Sequence, residues 1–177
     1  LLPEGTTSGK DILGFPLTAP NNGWLNLDGS EYVEISPSIS LTHNPLTVEA
    51  WIKPEIFSEV IVGDTGNDNW IRLNSASEIA IKIGGHSTFT WSHGLTFTLN
   101  EWQHFVMVRA SDGVMTIYRD KSAGGTPSDA KTGTATWKAI GQKNSDEYWN
   151  GQLDEVKIYN RALSVAEITK NYNHGKG

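Results

Sequence analysis

At 177 residues the chain has the length of a single domain, 1–177, long enough to bury a sizeable core, and with no cysteine it does so without disulfides. A net charge of −6 argues against a nucleic-acid partner, which needs a basic stripe, and against an anionic membrane surface, while leaving neutral sugars and calcium open. No run approaches the length of a membrane span, so no membrane insertion is expected, and the first residues lack the charged-then-apolar pattern of a signal segment.

Short alternating runs predict strands over 24–27, 31–36, 46–53, 59–63, 70–74, 78–83, 87–91, 102–110, 114–119, 136–141 and 152–159. Turn signals separate them at Asp28-Gly29, Gly66-Asn67, Gly84-Gly85, Asp112-Gly113 and Gly124-Gly125. Asp112-Gly113, between two strong strands, reads as a tight hairpin. The stretch 121–135 reads as a mobile surface loop inside the domain, because strands resume after it. Near the end, Ser164-Val-Ala-Glu167 is a capping box, with Leu163 and Ile168 placed for a hydrophobic staple. A helix over 165–172 follows, with Ile168 and Tyr172 on one face. Many short strands, 18 glycines and 7 tryptophans point to an all-β sandwich or barrel.

Several of these segments resemble the laminin-G-like members of the concanavalin A-like lectin/glucanase group, from about Leu25 to Tyr172. Leu25-Asn-Leu-Asp-Gly29 followed by Tyr32-Val33 is similar to that family's opening strand pair, and Leu46 to Pro54 to its strand ending in Trp-x-x-Pro. Trp102-Gln-His-Phe-Val106 resembles its Trp-x-His strand, and Thr116-Ile-Tyr-Arg-Asp120 the partner of that strand. Lys121 stands where the family usually has glycine, so this turn is expected to differ. Gly151-Gln-Leu-Asp-Glu-Val156, continuing into Arg161-Ala-Leu-Ser164 and Glu167, is the most specific piece. The resemblance implies a concanavalin A-like jelly-roll sandwich of two antiparallel sheets, its amino- and carboxy-terminal strands adjacent, with one short C-terminal helix. Function stays open, since this fold binds sugars, binds proteins and cleaves polysaccharides.

Asp154 lies on an otherwise apolar strand, and simple alternation puts it on one face with Gln152, Val156 and Ile158. An unpaired carboxylate there is costly to bury. The resemblance implies a structural calcium at this aspartate, completed by backbone carbonyls, with Asp28 as a second ligand. The plainer alternative satisfies Asp154 with backbone N–H groups or an arginine and leaves Asp28 to shape its turn.

Sugar rings stack on aromatic planes while amides, carboxylates and imidazoles bond their hydroxyls. Three loop-rich stretches carry that mix: Asp68, Asn69 and Trp70; His86, Trp91 and His93; Asn144, Tyr148 and Trp149. Each of these tryptophans could instead cap the core, as Trp51 and Trp102 are expected to do at framework positions. His104 is expected to bond backbone from its strand. The five histidines show no short metal-ligand spacing. Hydrolysis needs two carboxylates flanking the scissile bond. The alternating Glu-x-Asp run of the related glucanases is absent, and Asp146-Glu147 are adjacent and point apart.

These observations favour a non-enzymatic, calcium-stabilised, lectin-like module of a larger extracellular, cell-surface or virion-surface protein, with carbohydrate as partner. A structural or adhesion module contacting protein of the same assembly, in a virus particle or bacterial surface, is the alternative. A glycoside hydrolase relative comes third.

Overall fold

A computed structural model describes residues 8–10, 16–18, 23–42, 45–66, 68–126, 132–144 and 146–175. The strands are β1 (Ser8–Lys10), β2 (Pro16–Thr18), β3 (Leu25–Asp28), β4 (Val33–Leu41), β5 (Leu46–Pro54), β6 (Glu59–Gly63), β7 (Trp70–Leu73) and β8 (Glu78–Lys82). They continue as β9 (Phe89–Ser92), β10 (Gln103–Arg109), β11 (Met115–Arg119), β12 (Ser122–Ala123), β13 (Ala135–Ile140), β14 (Gln142–Lys143), β15 (Glu147–Tyr148) and β16 (Asn150–Tyr159). One helix, α1 (Val165–His174), follows.

Two six-stranded antiparallel sheets make the sandwich. The first runs β12-β11-β10-β5-β16-β3 and the second β4-β13-β6-β7-β8-β9. β3 pairs with β16, which brings the first and last strands of the sandwich side by side, as the resemblance implied. Alternation builds the space between the sheets: Leu46, Val48, Ala50 and Ile52 of β5 meet Ile71, Leu73, Ile79 and Ile81 of β7 and β8 in one core. Trp137 and Trp149 are its largest wholly buried side chains.

The outer face of the first sheet is also closed. α1 lays Ile168 against Val106, Val108, Tyr159 and Leu163, and Tyr172 stacks on Trp51 with ring centres 5.5 Å apart. The capping box forms as expected: the Ser164 hydroxyl accepts from the Glu167 N–H, and the Glu167 carboxylate accepts from the Ser164 N–H. Under the helix lies a polar cluster. His104 Nε2 bonds Glu49 Oε1 at 2.8 Å, while Tyr159 Oη and Asn171 Nδ2 both donate to Glu49 Oε2 at 2.9 Å. Burial alone would push the Glu49 carboxyl up, but the His104 hydrogen bond and the charges of Lys157 and His104 hold it below the usual carboxylate range. His104 therefore uses its ring on Glu49, and its backbone N–H bonds the Asp120 carboxylate.

Three local features depart from simple expectation. The β16–β5 register shifts between Asp154 and Lys157, with Glu155 at φ 49°. This bulge puts Leu153, Val156 and Ile158 in the core and leaves Asp154 on the other face, opposite Trp51, so Asp154 does not share a face with Val156 and Ile158. Asp120 and Lys121 both take left-handed φ, 48° and 66°, and β12 pairs back onto β11 within the stretch read as loop 121–135, of which 127–131 lie outside the described residues. Gly151 has φ 135°, and a Cβ there would come 2.3 Å from the Lys53 carbonyl, so β16 can cross β5 this closely only with glycine.

Candidate functional site

With α1 over the first sheet, the outer face of the second sheet is where polar side chains gather at the surface. On β4 the odd residues Val33, Ile35, Ile39 and Leu41 pack against the core, so Glu34, Ser36, Ser38 and Ser40 point outward and are exposed. β13 pairs with β4 through a register shift between Trp137 and Ala139. Trp137 is buried in the core and Lys138 stands on the opposite side. Tyr32, Glu34, Ser36 and Ser38, with Thr65 and Lys138 across from them, line an open cleft of about 220 Å³. Tyr32 is 43% exposed, an aromatic face presented to solvent beside hydroxyls and charges. Behind it stands Tyr148, ring centres 6.4 Å apart.

Thr65 is held by the loop that follows β6. Asp64 Oδ1 accepts from the N–H groups of Gly66 and Asp68 at 3.0 Å each, and Oδ2 from Asn69 Nδ2 at 3.0 Å. The Asn69 carbonyl accepts from the Asp64 N–H at 2.8 Å, which closes the loop on itself. Asn69 Oδ1 accepts from the Gly84 N–H, tying the 84–86 turn to this loop, and the Asn144 N–H donates to the Asp64 carbonyl. All three predicted stretches thus meet here: Asp68 and Asn69 lie on the loop itself, His86 on the turn and Asn144 and Tyr148 on the hairpin of β14 and β15. Asp68, His86 and Asn144 are exposed, and Asp68 pairs with Lys82 at 3.6 Å.

The stacking platform expected at three tryptophans is not there. Trp70, Trp91 and Trp149 are all buried. Trp70 has the Lys143 ammonium 4.4 Å and the Arg72 guanidinium 5.2 Å from its ring centre, both cations clamped by Glu147. Trp91 packs on Phe89 and donates Nε1 to the Gly125 carbonyl, and Trp149 lies wholly in the core. His93 and Asn69 are likewise turned inward. His93 is wholly buried, its Nδ1 accepting from Leu95 N–H, and burial holds the imidazole below its ordinary value. These side chains came from loop-rich sequence, but long aromatic surfaces in a small sandwich are drawn into its packing. The expected framework roles hold for Trp51, buried at 7% exposure, and Trp102, which meets Trp24 edge to face.

Sequence reading missed Tyr32, Glu34, Ser36, Ser38, Thr65 and Lys138. The signal was legible in β4, where every second residue from Glu34 to Ser40 is polar next to an aromatic.

A calcium ion shared by Asp28 and Asp154 does not fit this arrangement. Asp28 pairs with Asn150, and Asp154 lies four residues further along β16, about 13 Å away at strand rise. Asp28 Oδ1 accepts from the Ser30 N–H and hydroxyl, which holds that exposed carboxyl below the usual range. It shapes its turn. Of the two, Asp154 is the half-buried carboxyl: burial pushes it up, and it accepts from the Glu155 N–H. Among the described residues no cation lies within salt-bridge distance of it, and no group of three or more His, Cys, Asp or Glu side chains is placed to hold a metal.

Comparison with known proteins matches residues 27–169 to a laminin-G family model described as the concanavalin A-like lectin/glucanases superfamily. No curated protein sequence matches the chain. Domain 4 of AbnA, a GH43 extracellular arabinanase from Geobacillus stearothermophilus solved in complex with arabinotriose, superposes with TM-score 0.68 at 21% identity, covering 92% of this chain and 85% of that one. The native heptameric SAP-like pentraxin from Limulus polyphemus gives TM-score 0.61 at 20% identity over 81% of this chain and 78% of that one. The botulinum neurotoxin type G receptor binding domain gives 0.54 at 13%, over 97% of this chain and 51% of that one. At these identities the likeness is one of fold.

Proposed function

The chain belongs to the concanavalin A-like lectin/glucanases superfamily, and from that membership we propose that it is a non-catalytic carbohydrate-binding module of an extracellular or surface protein. The observation that carries the reading is the cleft on the second sheet: an exposed Tyr32 ring beside the hydroxyls of Ser36, Ser38 and Thr65, with Glu34 and Lys138 at the same wall. That is the mixture of one aromatic plane and several placed polar groups that sugar rings require. Its volume, below the roughly 300 Å³ at which small-molecule pockets commonly begin, suits a single ring. Glu34 is the one carboxylate among the lining residues, and glycoside hydrolysis needs two. Similarity to a domain solved with arabinotriose and to a toxin receptor binding domain is consistent with a binding role. Structural calcium, in this proposal, rests on Asp154 alone with carbonyl oxygens.

A glycan array on the folded protein tests the reading, with Tyr32→Ala beside it. Signal on related sugars is expected, falling by up to about tenfold when the ring is removed, since aromatic stacking contributes on the order of 0.5–1.5 kcal/mol. Silence across the array would favour a structural or adhesion module that contacts protein. For calcium, a chelator is expected to lower the melting temperature of wild type and leave Asp154→Ala unmoved; an unchanged wild-type melt would remove the ion from the proposal.

A further inference from the structure

Two charges of opposite sign line the same small cleft and do not neutralise each other. Glu34 on β4 pairs in register with Ala139, one residue from Lys138 on β13. No ion pair joins them, and among the described residues neither side chain has another hydrogen-bond or ionic partner. On a surface where the ammonium of Lys143 and the guanidinium of Arg72 are both taken by Glu147, and Lys82 by Asp68, this pair is left unused within one cavity.

We infer that the ring bound in this cleft is electrically neutral and carries hydroxyls on neighbouring carbons. The inference rests on the carbohydrate reading above and narrows its ligand. A uronic acid ring would gain at Lys138 and be repelled at Glu34. A protonated amino sugar would gain at Glu34 and be repelled at Lys138. A neutral polyol avoids both penalties, because one hydroxyl accepts from the ammonium while another donates to the carboxylate. Both bonds are charge-assisted, the stronger class of hydrogen bond, yet the ligand brings no net charge. The cleft then selects by hydroxyl geometry, with Ser36, Ser38 and Thr65 supplying further donors and acceptors, and Tyr32 the stacking plane.

Isothermal titration of the whole chain with arabinotriose and other neutral oligosaccharides, an oligogalacturonate and a chitosan oligomer tests this, in wild type, Glu34→Gln and Lys138→Met. The neutral class is expected to bind, with affinity unchanged between about 0.05 and about 0.5 M salt, because no net charge is brought together. Each variant is expected to weaken neutral binding by about tenfold, having lost one charge-assisted bond. Tighter binding of oligogalacturonate that salt weakens and Lys138→Met abolishes would overturn the inference while leaving the carbohydrate reading standing. So would chitosan binding lost in Glu34→Gln. Failure of all three classes with a folded sample would overturn the carbohydrate reading itself, and this inference with it.

Discussion

Burial pushes the Glu59 carboxyl up from its ordinary 4.5 to about 7, with an N–H of Asn150 opposing and the charge of Glu147 adding to the rise. Its Oε2 is buried with no hydrogen-bond partner among the described residues. In the unfolded chain this group ionises near 4.5, whereas in the fold it keeps its proton until about 7. The folded state therefore binds more protons between those values, so stability is highest below the window and falls as pH rises through it. Urea midpoints taken across this range are expected to drop in wild type, by on the order of 1–2 kcal/mol, and to stay level in Glu59→Gln. A slope surviving in the variant would assign it to another group. Glu49 and Glu147, held below the carboxylate range, act with the opposite sign and only at more acid pH. None of this was legible in sequence, because the rise comes first from burial in the folded sandwich, and the groups that modify it, Asn150 and Glu147, lie about 90 residues away along the chain. Asp154 shows the same limit: alternation placed it correctly on β16, but the left-handed Glu155 reverses the side on which the following residues face.

At the scale of the element, α1 was legible almost to the residue, since a capping box and a staple are local chemistry written in consecutive positions. Its stability divides into a local and a tertiary part. Ser164→Ala removes the acceptor for the Glu167 N–H and is expected to cost about 1 kcal/mol. Ile168→Ala, at a side chain with no exposure, is expected to cost about 2–5 kcal/mol, because the helix also covers the bonds of Glu49 to His104 and Tyr159. Thermal or chemical melts of the two variants rank them; equal losses would mean that the helix adds little beyond its own cap. The long strands were read within a few residues. The hairpin of β14 and β15 looks like loop in the sequence, because each strand has two residues, too few to show a period. Yet that hairpin carries the Lys143 and Glu147 that cover Trp70, and the Tyr148 that backs Tyr32.

For the whole molecule, five of the seven tryptophans, Trp51, Trp70, Trp91, Trp137 and Trp149, are at most 8% exposed. Intrinsic emission is therefore expected to be blue-shifted, poorly quenched by iodide, and nearly unchanged when a sugar fills the cleft at Tyr32. A large shift on binding would put the ligand beside Trp24 or Trp102, the two that are half-buried. The architecture also sets an order in time. β16 lies between β5 and β3, pairing Asp154 with Trp51 and Leu153 with Leu25. On a ribosome, β3 and β5 emerge about 100 residues before the strand that joins them, and each waits with a bare edge. The first sheet cannot close until residues 150–159 have left the exit tunnel, so the domain matures in a single late step, and what shields those edges beforehand governs how much of it survives synthesis.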